Sequence, residues 1–354
     1  LERIHCGNER QLRQNLNNEA KSMFNKDNFT LAKLTAAVNK RTPVDTFLAR
    51  MFTIERIRAA TVMIERGQSG LELIDPTARN QVAPASTLGG INGRAVYPIA
   101  SVKLGRVVNI SAGDIQDVRA FGEEDELETF ETVLSQHTSP VTRSIDYTHE
   151  NLRFGAIKGV QYAKDGVSEI FDFYDAAGVA KPDDVLIDFA TADRKTLQNF
   201  YADMGDYSRT GLGVNADVAT DIVHVYGKNA WRDFRTSDAV AGLYERFQDG
   251  AVNRAGAGGQ RANFEAFDAV HVPYFGASIG DDEVRTVPAG VPGLFRTAYT
   301  PLDNPEASNT LGLPLYATPE VLPYGKGYGV EIASLPIHYV TQPECLIGAR
   351  SVTA

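Results

Sequence analysis

The chain has 354 residues, 43% hydrophobic and 23% charged, a balance that excludes a disordered or fibrous protein and permits a sizeable core. Forty-five acidic against 35 basic side chains give a formal charge of -10, which argues against gripping nucleic acid unless basic residues cluster on one face, and no such cluster is visible. Two cysteines, Cys6 and Cys345, near opposite ends exclude a disulfide framework. No apolar run approaches the ~20 residues of a membrane span, and the first residues lack the basic start and apolar stretch of a secretion signal, so a cytosolic protein is expected. One large domain with excursions and two subdomains sharing a chain both fit the length.

Residues 1–22 are rich in Asn, Gln and Arg and carry no continuous apolar face. Two expectations stay open for them: a translated leader before a natural start at Met23, or a mobile N-terminal arm. Phe29, Leu31, Leu34, Ala37 and Val38 recur at helical spacing, with Thr30 as N-cap. Pro43 interrupts the helix, and Phe47, Leu48, Met51 and Phe52 follow as an apolar anchor.

Alternation then takes over. Residues 61–65 and 71–74 read as strands with Gly67 and Gly70 at the turn between them. The stretch 75–94 carries two prolines and the cluster Gly89-Gly90-Ile91-Asn92-Gly93, and 96–108 resumes an extended pattern. This predicts a long two-stranded excursion with a flexible tip. A lone ribbon is marginal in water, and no core within the chain obviously needs it, so a neighbouring subunit is its expected support.

The acidic run Glu123-Glu124-Asp125-Glu126, with Glu128 and Glu131, suits a solvated helix start, and no glycine-bracketed calcium loop surrounds it. Beyond Pro140, the residues Val141, Ile145, Thr148, Leu152 and Ala156 lie three or four apart and make one helical stripe. That helix is expected to stop at Gly159, with Arg153 and Lys158 in its last turns. A hairpin follows, in which Val160 and Tyr162 lead into Asp165-Gly166, and Val167, Ile170, Phe171 and Phe173 return. Shorter elements come next: strands over 185–189 and 221–225, helices over 194–204, 228–235 and 238–248, and strands over 264–274 and 284–287 facing the Gly-rich loop 255–260. Residues 328–340 are extended, and Cys345 in the apolar stretch 343–347 reads as a small core hydrophobe.

Little in the sequence speaks for catalysis. Gly211-Leu212-Gly213-Val214-Asn215-Ala216 matches the G-x-G-x-x-A form, but a dinucleotide loop must follow a buried strand directly, and Tyr207-Ser208-Arg209-Thr210 precedes this one. Gly325-Lys326-Gly327 lacks the leading glycine and the hydroxyl residue of a phosphate loop. The six histidines are scattered singly, none paired at i, i+4. His149 and Glu150 are adjacent on the expected helix and should point apart. No Gly-x-Ser-x-Gly elbow is present, and a spread Ser, His, Asp site is left without support.

Three stretches resemble one family, the lambda-like phage major capsid proteins called capsid protein E. They are residues 61–65 with 70–74 and the glycine-rich tip; Ile145-Asp146-Tyr147-Thr148-His149-Glu150-Asn151-Leu152-Arg153-Phe154-Gly155-Ala156-Ile157-Lys158-Gly159 with its hairpin; and Gly290-Val291-Pro292-Gly293-Leu294-Phe295, Tyr299-Thr300-Pro301, Ser308-Asn309-Thr310, Gly312-Leu313-Pro314-Leu315-Tyr316 and Ser334-Leu335-Pro336-Ile337. Residues 1–22, read as leader or disordered segment, have no counterpart. The resemblance implies the α+β Hong Kong 97 capsid fold, with an N-terminal arm over 23–57, an extended loop over 58–114, a peripheral domain over 115–184 with its spine helix over 139–158, an axial domain over 185–324, and C-terminal strands of the peripheral domain over 325–354. It places Val141, Ile145, Leu152 and Ala156 in the spine helix core. Arg79, Gly89, Gly90, Gly93 and Arg94 fall at a loop tip that crosses onto an adjacent subunit, with Gly67, Gly70, Gly105 and Gly113 as candidate hinges.

A structural subunit is implied, not an enzyme, with no catalytic, metal or cofactor residues. The implied partners are further copies in pentamers and hexamers of an icosahedral head, with scaffold, portal, prohead protease and decoration proteins, and packaged double-stranded DNA held without sequence-specific binding. No membrane is involved, and assembly is expected in the host cytoplasm. An encapsulin-like compartment and, further off, a nucleotide-dependent enzyme are the competing readings.

Overall fold

A computed structural model describes residues 30–41, 44, 46–66, 95–111, 130–241, 264–276 and 278–352. The predicted strand over 71–74, the loop tip, the acidic run 123–126, most of the helix over 238–248 and the Gly-rich loop lie outside them.

Helix α1 (Leu31–Asn39) starts where the Thr30 hydroxyl accepts the Lys33 N–H, and it buries Leu34, Thr35 and Val38. A 3-10 turn (Leu48–Met51) seats Leu48 and Phe52 in the main core. Helix α2 (Phe130–Lys158) is the longest of the described elements, and it starts well before Ser139, the expected beginning of the spine helix. Proline removes one backbone donor and crowds the preceding turn, yet the helix continues through it. Leu134 and Ile145, on either side of Pro140, pack into one cluster with α1 and the strand residues Ile110, Val330 and Ile332, so tertiary burial on both flanks outweighs the local penalty. Hydroxyls around the proline bond back to carbonyls four residues earlier: Thr138 to Leu134 at 2.8 Å, Ser139 to Ser135 at 2.6 Å and Ser144 to Pro140 at 3.0 Å.

The helix ends at Gly159, whose φ of +79° is left-handed. A β-carbon there would stand 2.1 Å from the Tyr174 ring. Along α2, Ile145, Leu152 and Ala156 are buried, and Val141 and Thr148 are half-buried. Burial also reaches His149, Glu150, Arg153, Phe154 and Ile157, so the last turns are enclosed on every side and not along a single stripe.

Four strands on the N-terminal side of α2, β1 (Thr53–Arg56), β2 (Thr61–Arg66), β3 (Ala95–Ala100) and β4 (Leu104–Ser111), join three different sheets. β2 and β3 form the base of the predicted ribbon, with Thr61 opposite Ala100 and Arg66 opposite Ala95. Strand alternation puts Ile64, Tyr97 and Ile99 on one face, and that face lies in the main core, where Tyr97 stacks on Phe171 with centroids 6.5 Å apart. The base of the ribbon therefore has a partner within the chain, contrary to expectation, while Met63 on its other face is 61% exposed.

Beyond α2 the predicted hairpin is present as β5 (Val160–Tyr162) and β6 (Glu169–Asp172), its turn held by Asp165, which accepts the N–H groups of Val167 and Ser168. Phe173 does not continue the strand. It opens a short helix α3 (Phe173–Ala177), because the Asp172 carboxylate caps the N–H groups of Tyr174 and Asp175.

A six-stranded sheet, in the order β7 (Val185–Ile187), β16 (Ile347–Ser351), β11 (Glu283–Ala289), β8 (Asp221–Tyr226), β10 (Ala269–Pro273), β9 (Phe264–Ala266), forms the second core with α4 (Arg194–Leu212) and α5 (Lys228–Thr236). α4 runs eight residues past the expected end at Met204, because Gly205 faces Ile222 with ordinary room and the packed face continues through Ser208 and Leu212. The remaining strands are β12 (Phe295–Tyr299), β13 (Tyr316–Val321), β14 (Gly327–Ser334) and β15 (Pro336–Val340). They build two three-stranded sheets, β1-β12-β15 and β13-β14-β4. The sheets therefore do not follow the expected division at 324: Phe295–Tyr299 and Tyr316–Val321 pair with N- and C-terminal strands, and Ile347–Ser351 is an inner strand of the six-stranded sheet. Gly105, a candidate hinge, sits in the β4–β14 ladder opposite Ala333.

Replacing Gly159 with Ala should cost well over about 1 kcal/mol, from the left-handed φ together with the clash on Tyr174. Leu152→Asp should abolish folding by placing an unpaired charge in the core. Urea denaturation of the first and circular dichroism of the second check both; unchanged stability in either would refute the packing of α2.

Candidate assembly site and the polar junction beneath it

Two consecutive residues of α2 organise the interior. His149 meets His338 of β15 with Nδ1 and Nε2 2.8 Å apart, and its own Nε2 lies 3.0 Å from the Ser334 hydroxyl. Ser334 donates to the Pro314 carbonyl at 2.6 Å, so its oxygen accepts from His149 Nε2–H. His149 Nδ1 then accepts from His338 Nε2–H, and His338 Nδ1 accepts from the Thr297 hydroxyl at 2.9 Å. This assignment follows from the donor and acceptor inventory, and it makes both rings neutral. Burial, with Arg153 nearby, lowers the His149 pKa to about 3; burial, His149 and Arg153 lower that of His338 as well.

Glu150 points elsewhere, as adjacent helix residues do. Its carboxylate accepts the Thr46 hydroxyl at 2.5 Å, the Leu48 N–H at 3.4 Å and the Tyr274 hydroxyl at 3.2 Å, and Arg153 lies 3.5 Å away. One turn earlier, Asp146 takes both terminal nitrogens of Arg41 at 2.7 Å. Arg41, Thr46 and Leu48 are thereby tied to α2. A second histidine pair lies in the six-stranded sheet, where the His224 and His271 rings stack at 5.3 Å. His224 Nδ1 lies 2.9 Å from the Thr286 hydroxyl, and His271 lies 2.7 Å from the Tyr226 hydroxyl and 3.0 Å from the Ala266 carbonyl. Four of six histidines that sit singly in sequence thus meet in pairs. Spacing could not reveal this, because each pair spans distant strands or a helix and a strand.

These groups are buried and most of their polar atoms are paired, while His224 Nε2 and Arg153 Nε have no hydrogen-bond partner among the described residues. Among the described residues no group of three or more His, Cys, Asp or Glu is placed to hold a metal ion, and no helix is long and apolar enough to cross a membrane. The Gly211 motif lies at the end of α4 and not after a strand. Its glycine permits close packing, since a β-carbon would come within 2.4 Å of the Glu344 carbonyl and 2.6 Å of the Cys345 backbone. Cys345 is wholly buried, and burial pushes its thiol pKa up. A cleft of about 570 Å³ between α2 and the six-stranded sheet is lined by Lys158, Asp184, Glu283, Arg285 and Arg350. Five of its seven charged residues pair with one another: Glu283 with Lys158 at 2.7 Å and Arg285 at 2.5 Å, Asp184 with Arg285 at 3.1 Å and Arg350 at 3.6 Å. Burial raises the Glu283 pKa, but Arg285 and Lys158 outweigh it and hold the carboxyl below its usual range.

Outside this interior, among the described residues, lie exposed apolar side chains: Met63 on the ribbon, Ile54 on β1, Val107 on β4, and Val185 and Leu186 on β7 at the edge of the six-stranded sheet. Such exposure on several separate faces is what a subunit with several neighbours presents. The predicted tip residues Arg79, Gly89, Gly90, Gly93 and Arg94 are outside the described residues.

A family model described as phage major capsid protein E matches residues 30–351. The chain belongs to this family. It is a structural capsid protein, and its place is the virion. Among solved structures, the crystal structure of a prophage capsid protein from Escherichia coli CFT073 is similar at 13% identity, covering 91% of this chain and 99% of that one with a TM-score of 0.57. The capsid of Ralstonia phage GP4 is similar at 12% identity over 86% and 88% of the two chains, with a TM-score of 0.50. Both likenesses establish the Hong Kong 97-like fold. The SrpI encapsulin of Synechococcus elongatus PCC 7942 gives a TM-score of 0.48 at 9% identity, over 90% and 97%. No curated protein sequence matches significantly.

The buried pairs set a pH dependence. A histidine held below its ordinary value takes up its proton readily only in the unfolded chain, so acid favours unfolding. Stability should be full above pH 6.5 and fall as pH drops from there towards 3. Urea midpoints measured across this range should decrease, and His149→Gln should lower the midpoint at pH 7.5 while flattening its acid slope. Parallel slopes for the two proteins would refute the assignment.

Proposed function

We propose that copies of this capsid protein close as pentamers and hexamers into the icosahedral head of a tailed phage, around double-stranded DNA that they do not read. The family match across residues 30–351 carries this reading. The exposed apolar positions give it a physical basis, since faces that a single chain leaves in water become interface when neighbours cover them. Many modest contacts per subunit, multiplied around a closed shell, then hold what no single contact could. Residues 58–114 act as the extended loop, with the tip 79–94 reaching an adjacent subunit, and α2 acts as the spine helix.

The net charge of -10 suits a wall that should not hold its DNA tightly. Scaffold, portal, prohead protease and decoration proteins are the expected partners during assembly in the host cytoplasm, and the chain itself performs no catalysis. The family description favours a phage head over an encapsulin-like compartment.

Electron microscopy of the chain expressed with its neighbouring genes should reveal closed, DNA-filled heads. Deletion of residues 79–94 should leave a soluble, folded subunit that forms none. Normal particles from the deletion would remove the loop assignment, and compact single molecules of the intact chain at high concentration would remove the assembly reading.

A further inference from the structure

The turn joining β13 to β14 carries a feature that the chain's own packing does not explain. Leu322 donates its N–H to the Gly327 carbonyl at 3.0 Å, closing a loop around the 3-10 turn Pro323–Gly325. Tyr324 within it has φ +62° and ψ +17°, the left-handed region that a β-carbon disfavours, and it is 95% exposed. Phe267 shares that backbone region at φ +52°. Its ring, however, stacks on Tyr201 with centroids 5.5 Å apart and meets His271 edge-on, so internal packing holds it in place. Around Tyr324 the described ring contact is Lys326, whose ammonium stands 6.0 Å from the centroid, the outer limit of a cation–π contact. Val321, also largely exposed, extends the apolar surface at the base of the turn.

A glycine would adopt this backbone without strain, yet the position holds a large aromatic that is 95% exposed among the described residues. We infer that Tyr324, with Val321 beside it, is an anchor by which one copy of the chain grips another, and that Lys326 faces carboxylates of that second copy. The inference rests on the assembly reading above and names one of its contacts. An apolar ring with a polar tip is the side chain that interface centres favour. The second copy is the occupant that the charges suit, because each copy carries 45 acidic against 35 basic side chains, an excess of carboxylates for the lysine to meet.

Tyr324→Gly separates contact from folding. The variant should melt at the same temperature as the unmodified chain or higher, because glycine relieves the left-handed strain. It should also need about tenfold more subunit to form shells, as expected for loss of an anchor repeated around a closed assembly. Lys326→Glu should weaken assembly in the same direction. A photoreactive benzoylphenylalanine at 324 should give an adduct of twice the chain mass in assembled particles. Three results would overturn the inference: shells from Tyr324→Gly at the unmodified concentration, a lowered melting temperature that reveals internal packing of the ring, or adducts only to a different protein of the particle. If the unmodified chain forms no shells under the same conditions, the assembly reading fails and this contact falls with it, whereas normal shells from Tyr324→Gly refute the contact alone.

Discussion

The end of α2 sets a constraint that the rest of the fold must meet. Between His149 and Arg153 three polar side chains are buried, and each buried donor or acceptor left unpaired would cost about 1–3 kcal/mol. Their partners come from segments far apart in sequence: Thr46 and Leu48 before the helix, and Tyr274, Ser334 and His338 after it. Hydrophobic burial would tolerate small slips among these segments. Directional hydrogen bonds do not, and the chain of donors from Thr297 through both imidazoles to the Pro314 carbonyl can be satisfied in one arrangement.

This junction also ties α2 to the six-stranded sheet. Tyr274 leaves β10 of the six-stranded sheet to reach Glu150 on α2, and Lys158 at the end of the same helix pairs with Glu283 of β11. The six-stranded sheet contributes to two clusters, with Val223, Val225, Val272 and Val287 in the main core and Tyr226, Val284 and Ile347 in the other, and α2 adds polar contacts to it. A shell subunit has reason to be built this way, because forces applied at its periphery by neighbours pass through packed and hydrogen-bonded contacts instead of a soft linker. The polar interior fixes the subunit's shape, and the apolar positions left on the ribbon, on β1, on β4 and at the sheet edge are available for its neighbours.

Part of this was legible from local chemistry. Thr30 caps α1, Asp165-Gly166 turns the hairpin and Gly159 ends α2, because each depends on a few neighbouring residues whose side chains or absent side chains decide the backbone. The apolar spacing of Ile145, Leu152 and Ala156 likewise marked a buried helix face. The motif at Gly211 was recognisable as no phosphate loop from what precedes it, although the reason for its glycine, close approach to Glu344 and Cys345, lies in packing. The family's stretches, spread along the whole chain, were enough to anticipate capsid membership.

By itself the sequence determined the caps, the turns, the apolar faces, the absence of any dense chemical motif and the family, all of which are written in neighbouring residues or in their order. Only the tertiary structure decided that α2 passes through Pro140, that the ribbon's base packs on its own chain, that Ile347–Ser351 enters the six-stranded sheet, and that histidines scattered along 354 residues meet in two pairs. Each of these depends on contacts between segments tens to hundreds of residues apart, whose burial energy exceeds the local preferences that a sequence displays.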